Sequence, residues 1–257
     1  MNCSVCGRGE LARARFTPRL LRCTWCGVRS TGRPSTTQFD ATYFEQHYHG
    51  DDRQSAYRAI VDVARSQLRV GASVLDLGCG AGRLLAELRA AGFDCVGVDS
   101  SEAARAATSS VGFEAFASTS ELGDRCFAAI FLIDVIAHVV DAYTFVTDAR
   151  DRLEPNGALV VKTPASTGTL AAIEWAADAV TRSTRSPLLH RASRVNHFDR
   201  RSLTRACEAW SLREIEVEPF DEPTVAGKTY GRAEKVAQTV QRTLTRGGSL
   251  LAIGRRS

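Results

Sequence analysis

Val74-Leu75-Asp76-Leu77-Gly78-Cys79-Gly80-Ala81-Gly82-Arg83-Leu84-Leu85 reads as a buried strand with an acid near its end, a glycine-rich turn and the first turn of a helix. Glycines at 78, 80 and 82 admit backbone angles closed to other residues and let a ligand approach the main chain. Helix-start amides, which have no partner inside the helix, then face that ligand. A second acid, Asp99, ends the next apolar run, Cys95-Val96-Gly97-Val98, 21 residues after Gly78. A strand–helix–strand unit carries a carboxylate to a nucleoside ribose at about this interval. The dinucleotide fingerprint G-x-G-x-x-G needs glycine at 83, where the chain has Arg83, so a pyrophosphate cradle is poorly matched.

Outward from this stretch, strands and helices alternate. Strand patterns fall at 73–77, 94–98, 113–117, 127–133, 157–162, 211–218 and 249–254, and helix patterns at 55–69, 81–91, 101–109, 142–153, 199–209 and about 231–244. Asp99-Ser100-Ser101-Glu102 and Asp199-Arg200-Arg201-Ser202 are capping-type starts, and Pro155-Asn156-Gly157 reads as a turn after the 142–153 helix. Such alternation implies an α/β fold with a doubly wound, mainly parallel sheet.

The 257 residues suffice for one α/β domain with a small appendage, and 44% hydrophobic and 24% charged residues are ordinary for a globular protein. No apolar run approaches the ~20 residues needed to cross a bilayer, and the N-terminus lacks a signal-peptide core. A cytoplasmic location without a membrane partner is therefore expected. The net charge of +4 does not itself imply nucleic acid, but residues 1–34 hold seven arginines against one acid, Glu10. Two readings stand: a solvated basic surface, or a docking face for an anionic partner such as RNA, a nucleotide-linked sugar or an acidic carrier.

Cys3, Cys6, Cys23 and Cys26 form two Cys-x2-Cys pairs, each followed by glycine (Gly7, Gly27). This spacing matches a tetrahedral zinc ribbon, with a disulfide pair as the alternative. Four sulfur ligands leave no open position, so the zinc would be structural. Cys79, Cys95, Cys126 and Cys207 are scattered and read mainly as small buried residues. The expected organisation is a ribbon at 1–34, a linker with N-terminal helices at 35–70, and the main domain at 71–257 with a lid-like insertion at 164–198.

The D-x-G-x-G-x-G pattern resembles motif I of the class I methyltransferases that use S-adenosylmethionine. Phe127 to Asp141 is similar to that family's fourth-strand segment, Leu153-Glu154-Pro155-Asn156-Gly157-Ala158-Leu159-Val160-Val161 to its fifth-strand segment, and Asn196-His197-Phe198-Asp199 to the stretch before the next helix. A four-cysteine module followed by an aromatic segment also occurs in bacterial relatives from natural-product, sugar and glycan pathways. The resemblance implies a seven-stranded sheet with the last strand antiparallel. It also implies a glycine loop under the methionine part of the cofactor and Asp99 on the ribose hydroxyls. On this reading Asp76, Gly78, Cys79, Gly80, Gly82, Asp99, Ser100 and Asp134 bind the cofactor. Tyr43 and Tyr48 would reach its amino-acid end, and Ser118 or main chain its adenine. The chain departs from the family at Ala128 and Ala137, where acids are usual, and in lacking an obvious adenine-binding acid at 117–119.

His138, just beyond the fourth strand, is the leading general base, with a helix-start scaffold as its other reading. His197 is the second candidate base, against a loop-fixing hydrogen bond. Trp175, His190 and His197 are candidate acceptor contacts from the insertion. The function implied is methyl transfer to a small-molecule or sugar-like acceptor, O-methylation favoured. The alternatives are an RNA methyltransferase gripping phosphate with its ribbon, and a cofactor-binding protein without methylating activity.

Overall fold

In the computed structural model, which describes residues 2–14, 17–31, 54–166, 194–220 and 248–257, three short strands come first: β1 (Leu11–Ala14), β2 (Thr17–Cys23) and β3 (Arg29–Ser30). Helix α1 (Gln54–Gln67) buries Ala56, Tyr57, Ile60, Val61 and Ala64, the stripe expected of an amphipathic helix on a sheet. Then follow β4 (Ser73–Leu77), α2 (Arg83–Ala90), β5 (Asp94–Val98), α3 (Glu102–Ser110), β6 (Glu114–Phe116), β7 (Phe127–Ile133), α4 (Ala142–Asp151) and β8 (Leu153–Pro164). The described chain ends with β9 (Asn196–His197), α5 (Arg200–Ala209), β10 (Leu212–Phe220) and β11 (Ser249–Arg256).

Seven strands form one sheet in the order β10-β11-β8-β7-β4-β5-β6. The pairs β4–β5, β4–β7, β5–β6 and β7–β8 are parallel, whereas β11 runs antiparallel to both β8 and β10. This is the doubly wound, mainly parallel sheet read from the alternation, with the antiparallel strand that the family resemblance implied. Its central strands are buried on both faces, which is why β7 reads as continuous apolar sequence. Ala129, Phe131, Ala158 and Val160 pack with α1 and α2 on one face. Ile130, Leu132, Leu159 and Val161 pack on the other with α4 and α5. Removing Phe131 or Ile130 from water contributes about 1.5–3 kcal/mol each, since neither has any exposed surface.

Caps mark the helix starts named from sequence. Ser101 accepts from the Ala104 amide, and Asp199 and Ser202 form a reciprocal capping box at α5. Pro155-Asn156-Gly157 does more than end a helix. β8 already pairs at Leu153 with Phe127 and resumes at Ala158 with Ala129, so the intervening residues bulge out and Asn156 turns at φ 65°.

The cysteine-bearing strands are built into the domain. β3 pairs with β9, making a second sheet in the order β1-β2-β3-β9. Trp210, with no exposed surface, donates from Nε1 to the Val5 carbonyl at 2.7 Å, and the Tyr143 amide donates to Ser4 at 2.7 Å. The four cysteines share a buried cluster with Leu203 and Ala206 of α5. No helix among the described residues is long and apolar enough to cross a membrane. The linker, the Tyr43 and Tyr48 segment, most of the insertion (with Trp175 and His190) and the 231–244 helix lie outside the described residues.

Candidate functional site

Ligands of such sheets gather at the C-terminal ends of the parallel strands, and here those ends are β4, β5, β7 and β8. The glycine loop leaves β4 with φ of 90°, 54° and 73° at Gly78, Gly80 and Gly82, all closed to side-chain-bearing residues at low cost. The amides of Gly78 and Cys79 donate to the Val98 carbonyl at 2.7 and 3.1 Å, tying the loop to β5. α2 begins at Arg83 behind Gly82, which has no side chain to cap the first-turn amides.

Asp99 braces this loop. Its Oδ2 accepts from the Gly80 amide at 2.9 Å and its Oδ1 from the Ser101 amide at 2.9 Å. Each carboxylate oxygen retains a further lone pair for a ligand hydroxyl. Two residues that the sequence reading passed over complete the cradle. Thr108, fully buried on α3, donates to the Gly80 carbonyl at 2.8 Å, and Arg105 donates to the carbonyls of Asp99 and Ser100 at 2.8 and 2.9 Å. Only their helical spacing behind Asp99 hinted at either.

Asp76 is 3% exposed beneath the loop, and burial together with the charge of Asp99 pushes its carboxyl up to about 8. Cys79 turns its thiol inward, where an added Cβ on Gly97 would meet its Sγ at 2.8 Å, so it faces a ligand with main chain only. Burial raises that thiol well above its ordinary value. Ser100 is exposed at the end of β5, and Ser118, half-buried, follows β6 with its hydroxyl 2.6 Å from that of Ser120.

Asp134 follows β7 in a left-handed conformation, φ 62°. Its Oδ2 lies 2.9 Å from Nζ of Lys162, a β8 residue only 3% exposed that the sequence reading did not single out. The next residue, Val135, abuts the glycine loop so closely that a Cβ on Gly78 would fall 2.4 Å from Val135 Cγ2.

His138 is half-buried in the turn after β7, its amide donating to Val135 at 2.9 Å. Asn196 spans this turn, donating from Nδ2 to Val139 at 2.7 Å and Ile136 at 3.3 Å, while its amide reaches Ala137 at 3.0 Å. His197 is placed differently from an accessible base. It is 3% exposed, and its backbone pairs with Arg29 in the ribbon sheet, a packing position.

The four ribbon thiols lie within 4.8 Å of one another, with Cys3–Cys26 at 3.9 Å and Cys6–Cys23 at 3.6 Å. A tetrahedron of sulfurs about 2.3 Å from zinc has edges of about 3.8 Å, so the donor set fits the metal. Amides of Trp25 and Cys26 approach Cys23 Sγ at 3.4 Å, as thiolate ligands favour. On the outer side, Arg8 and Arg205 flank the Trp25 ring at 5.0 and 6.0 Å, and Arg29 faces Asp199 at 3.9 Å. These contacts do not single out an anionic partner.

The sequence profile of the family described as "Methyltransferase domain" matches residues 49–216, well over half of the chain. The chain belongs to that family. This methyltransferase domain is 36% identical over 104 residues to a ubiquinone biosynthesis O-methyltransferase of Bradyrhizobium diazoefficiens, a match covering 36% of the chain and 40% of that protein. The match thus spans well under half the length of that relative. Among solved structures, a SAM dependent methyltransferase from Archaeoglobus fulgidus superposes with a TM-score of 0.58 at 15% identity, over 84% of this chain and 98% of that one. The 1,6-didemethyltoxoflavin-N1-methyltransferase of Burkholderia thailandensis, solved with S-adenosylhomocysteine, superposes with a TM-score of 0.56 at 16% identity, over 84% and 83%. At such identities the superpositions establish a shared fold, the class I methyltransferase fold.

Proposed function

We propose that this methyltransferase domain transfers a methyl group from S-adenosylmethionine to a hydroxyl of a small-molecule or sugar-like acceptor. The observation that carries the reading is the glycine loop cross-tied to Asp99 at the ligand-bearing edge of the sheet. Gly78, Gly80 and Gly82 would pass beneath the methionine part of the cofactor, Asp99 would take the ribose hydroxyls, and Ser100 and Ser118 would border the adenine. The bound sulfonium supplies an already activated methyl group, so the protein's task is alignment and exclusion of water.

His138, half-buried in the turn beyond the end of β7, is the residue we assign to meet the acceptor hydroxyl. A neutral imidazole there accepts the proton that the hydroxyl gives up as its oxygen forms the new bond to carbon. Asn196 keeps that turn in place. Zinc in the ribbon would leave no site for substrate, so its contribution is to the folding of β1–β3 and, through β9, to the acceptor side. Thiolate ligands also favour a reducing compartment such as the cytoplasm. Support for a small-molecule acceptor comes from the names of the ubiquinone and toxoflavin relatives.

Incubation of the purified protein with radiolabelled S-adenosylmethionine and a panel of phenols, sugars and nucleotide-linked sugars tests the reading. Label should pass to a hydroxyl-bearing member, with S-adenosylhomocysteine formed in equal amount. Label in bulk RNA and in no small molecule would contradict it.

A further inference from the structure

The chain has three lysines against thirty arginines, and Lys162 is the only lysine among the described residues. Arginine serves nearly every cationic position, so the exception is informative. Lys162 is 3% exposed at the C-terminal end of β8, on the face of the sheet shared with Phe220, whose ring centre lies 5.9 Å from Nζ. An ammonium fits this space as a compact point charge, whereas a planar guanidinium needs room for five donors.

Lys162 grips Asp134 at two points. Its Nζ meets Oδ2 at 2.9 Å, and its carbonyl accepts the Asp134 amide at 2.8 Å. Asp134 holds a left-handed backbone that a non-glycine residue adopts only when its surroundings enforce it. Its side chain, 19% exposed, lies toward solvent relative to the lysine, and Val135 next to it touches the glycine loop. Burying an ion pair gains little stability over an apolar pair of the same size, so stability alone gives little reason to keep one at this edge.

We infer that Lys162 is a positioning residue that holds Asp134 aimed at the α-ammonium of the cofactor's amino-acid part. The inference rests on the cofactor reading above. Without the lysine, the carboxylate loses the ion pair that holds its orientation. Lys162 itself is only 3% exposed, so it acts on a ligand indirectly, by way of Asp134.

The test is calorimetry on the full chain with two ligands, S-adenosylhomocysteine, which carries the ammonium, and 5′-methylthioadenosine, which lacks the amino-acid part. Lys162→Met should weaken S-adenosylhomocysteine at least tenfold and leave 5′-methylthioadenosine within twofold of the parent. A merely structural defect would weaken both ligands alike, and that result would overturn the inference, as would parent-like binding of both. Should Lys162→Met not fold, Asp134→Asn is compared with the double variant Lys162→Met/Asp134→Asn. A lysine that acts through Asp134 adds nothing once the carboxylate is gone, so the two should bind S-adenosylhomocysteine equally, and a further loss in the double variant would overturn the assignment. A parent protein that binds neither ligand removes the cofactor reading itself. A parent that binds both while the variants are unaffected removes only the role of Lys162.

Discussion

Asn196 donates from its buried side-chain amide to the Val139 carbonyl at 2.7 Å, holding the turn that carries His138. Asn196 belongs to β9, which pairs with β3 beside the cysteine cluster, so one short chain of hydrogen bonds joins the ribbon to the turn carrying His138. The ribbon is therefore tied through β9 to the turn that follows β7.

Replacing Asn196 by alanine strips a donor from the Ile136 and Val139 carbonyls. A loss of about 1–3 kcal/mol is expected in urea unfolding. Turnover should fall by about tenfold to a hundredfold through misplacement of His138, with S-adenosylhomocysteine affinity unchanged. Turnover at the parent level would show that the turn does not depend on this clamp.

Zinc analysis of the purified protein should give one ion per chain. Cobalt substitution should give the intense charge-transfer absorption of a four-sulfur site. Cys6→Ser, or chelation, should lower the melting temperature by roughly 10 °C or more, as befits a metal contributing several kcal/mol. Two disulfides in a metal-free protein, seen by mass spectrometry without reductant, would contradict the metal assignment.

Asp76 gives a pH signature. Its carboxyl, ordinarily near 4, is pushed up to about 8, so between those values the folded state keeps a proton that the unfolded chain has released. Stability from this group is present below pH 4 and falls as pH rises toward 8, by up to about 1.4 kcal/mol per unit. Asp76→Asn should remove that slope, gaining on the parent in urea unfolding as pH goes from 6 to 8. A difference between the two proteins that does not change with pH would be contrary to a buried, protonated Asp76.

His138→Ala should reduce turnover by about a hundredfold or more with cofactor affinity preserved, the usual scale for a general base. Unchanged turnover would return His138 to a scaffolding role.

The central sheet was readable because its strands are long apolar runs separated by capped helices, and the glycine loop because only glycine accommodates its backbone. Asp99 followed from spacing along one strand–helix–strand unit. Other features depend on contacts that no local pattern encodes. The β3–β9 pairing joins residues 29–30 to 196–197, so the placement of His197 within the ribbon sheet was invisible in either segment alone. Lys162 sits at the end of an apolar run, where a lysine reads as the start of a loop. Thr108 looks like any small polar residue on a helix until its hydroxyl is found on the Gly80 carbonyl.

The most direct measurement is titration calorimetry of the parent and Asp99→Ala with S-adenosylhomocysteine. One binding site per chain is expected in the parent and affinity at least about tenfold weaker in Asp99→Ala, because the substitution removes the proposed acceptor for the ribose hydroxyls together with the brace on Gly80. No binding by the parent, or the same affinity in both proteins, would contradict it.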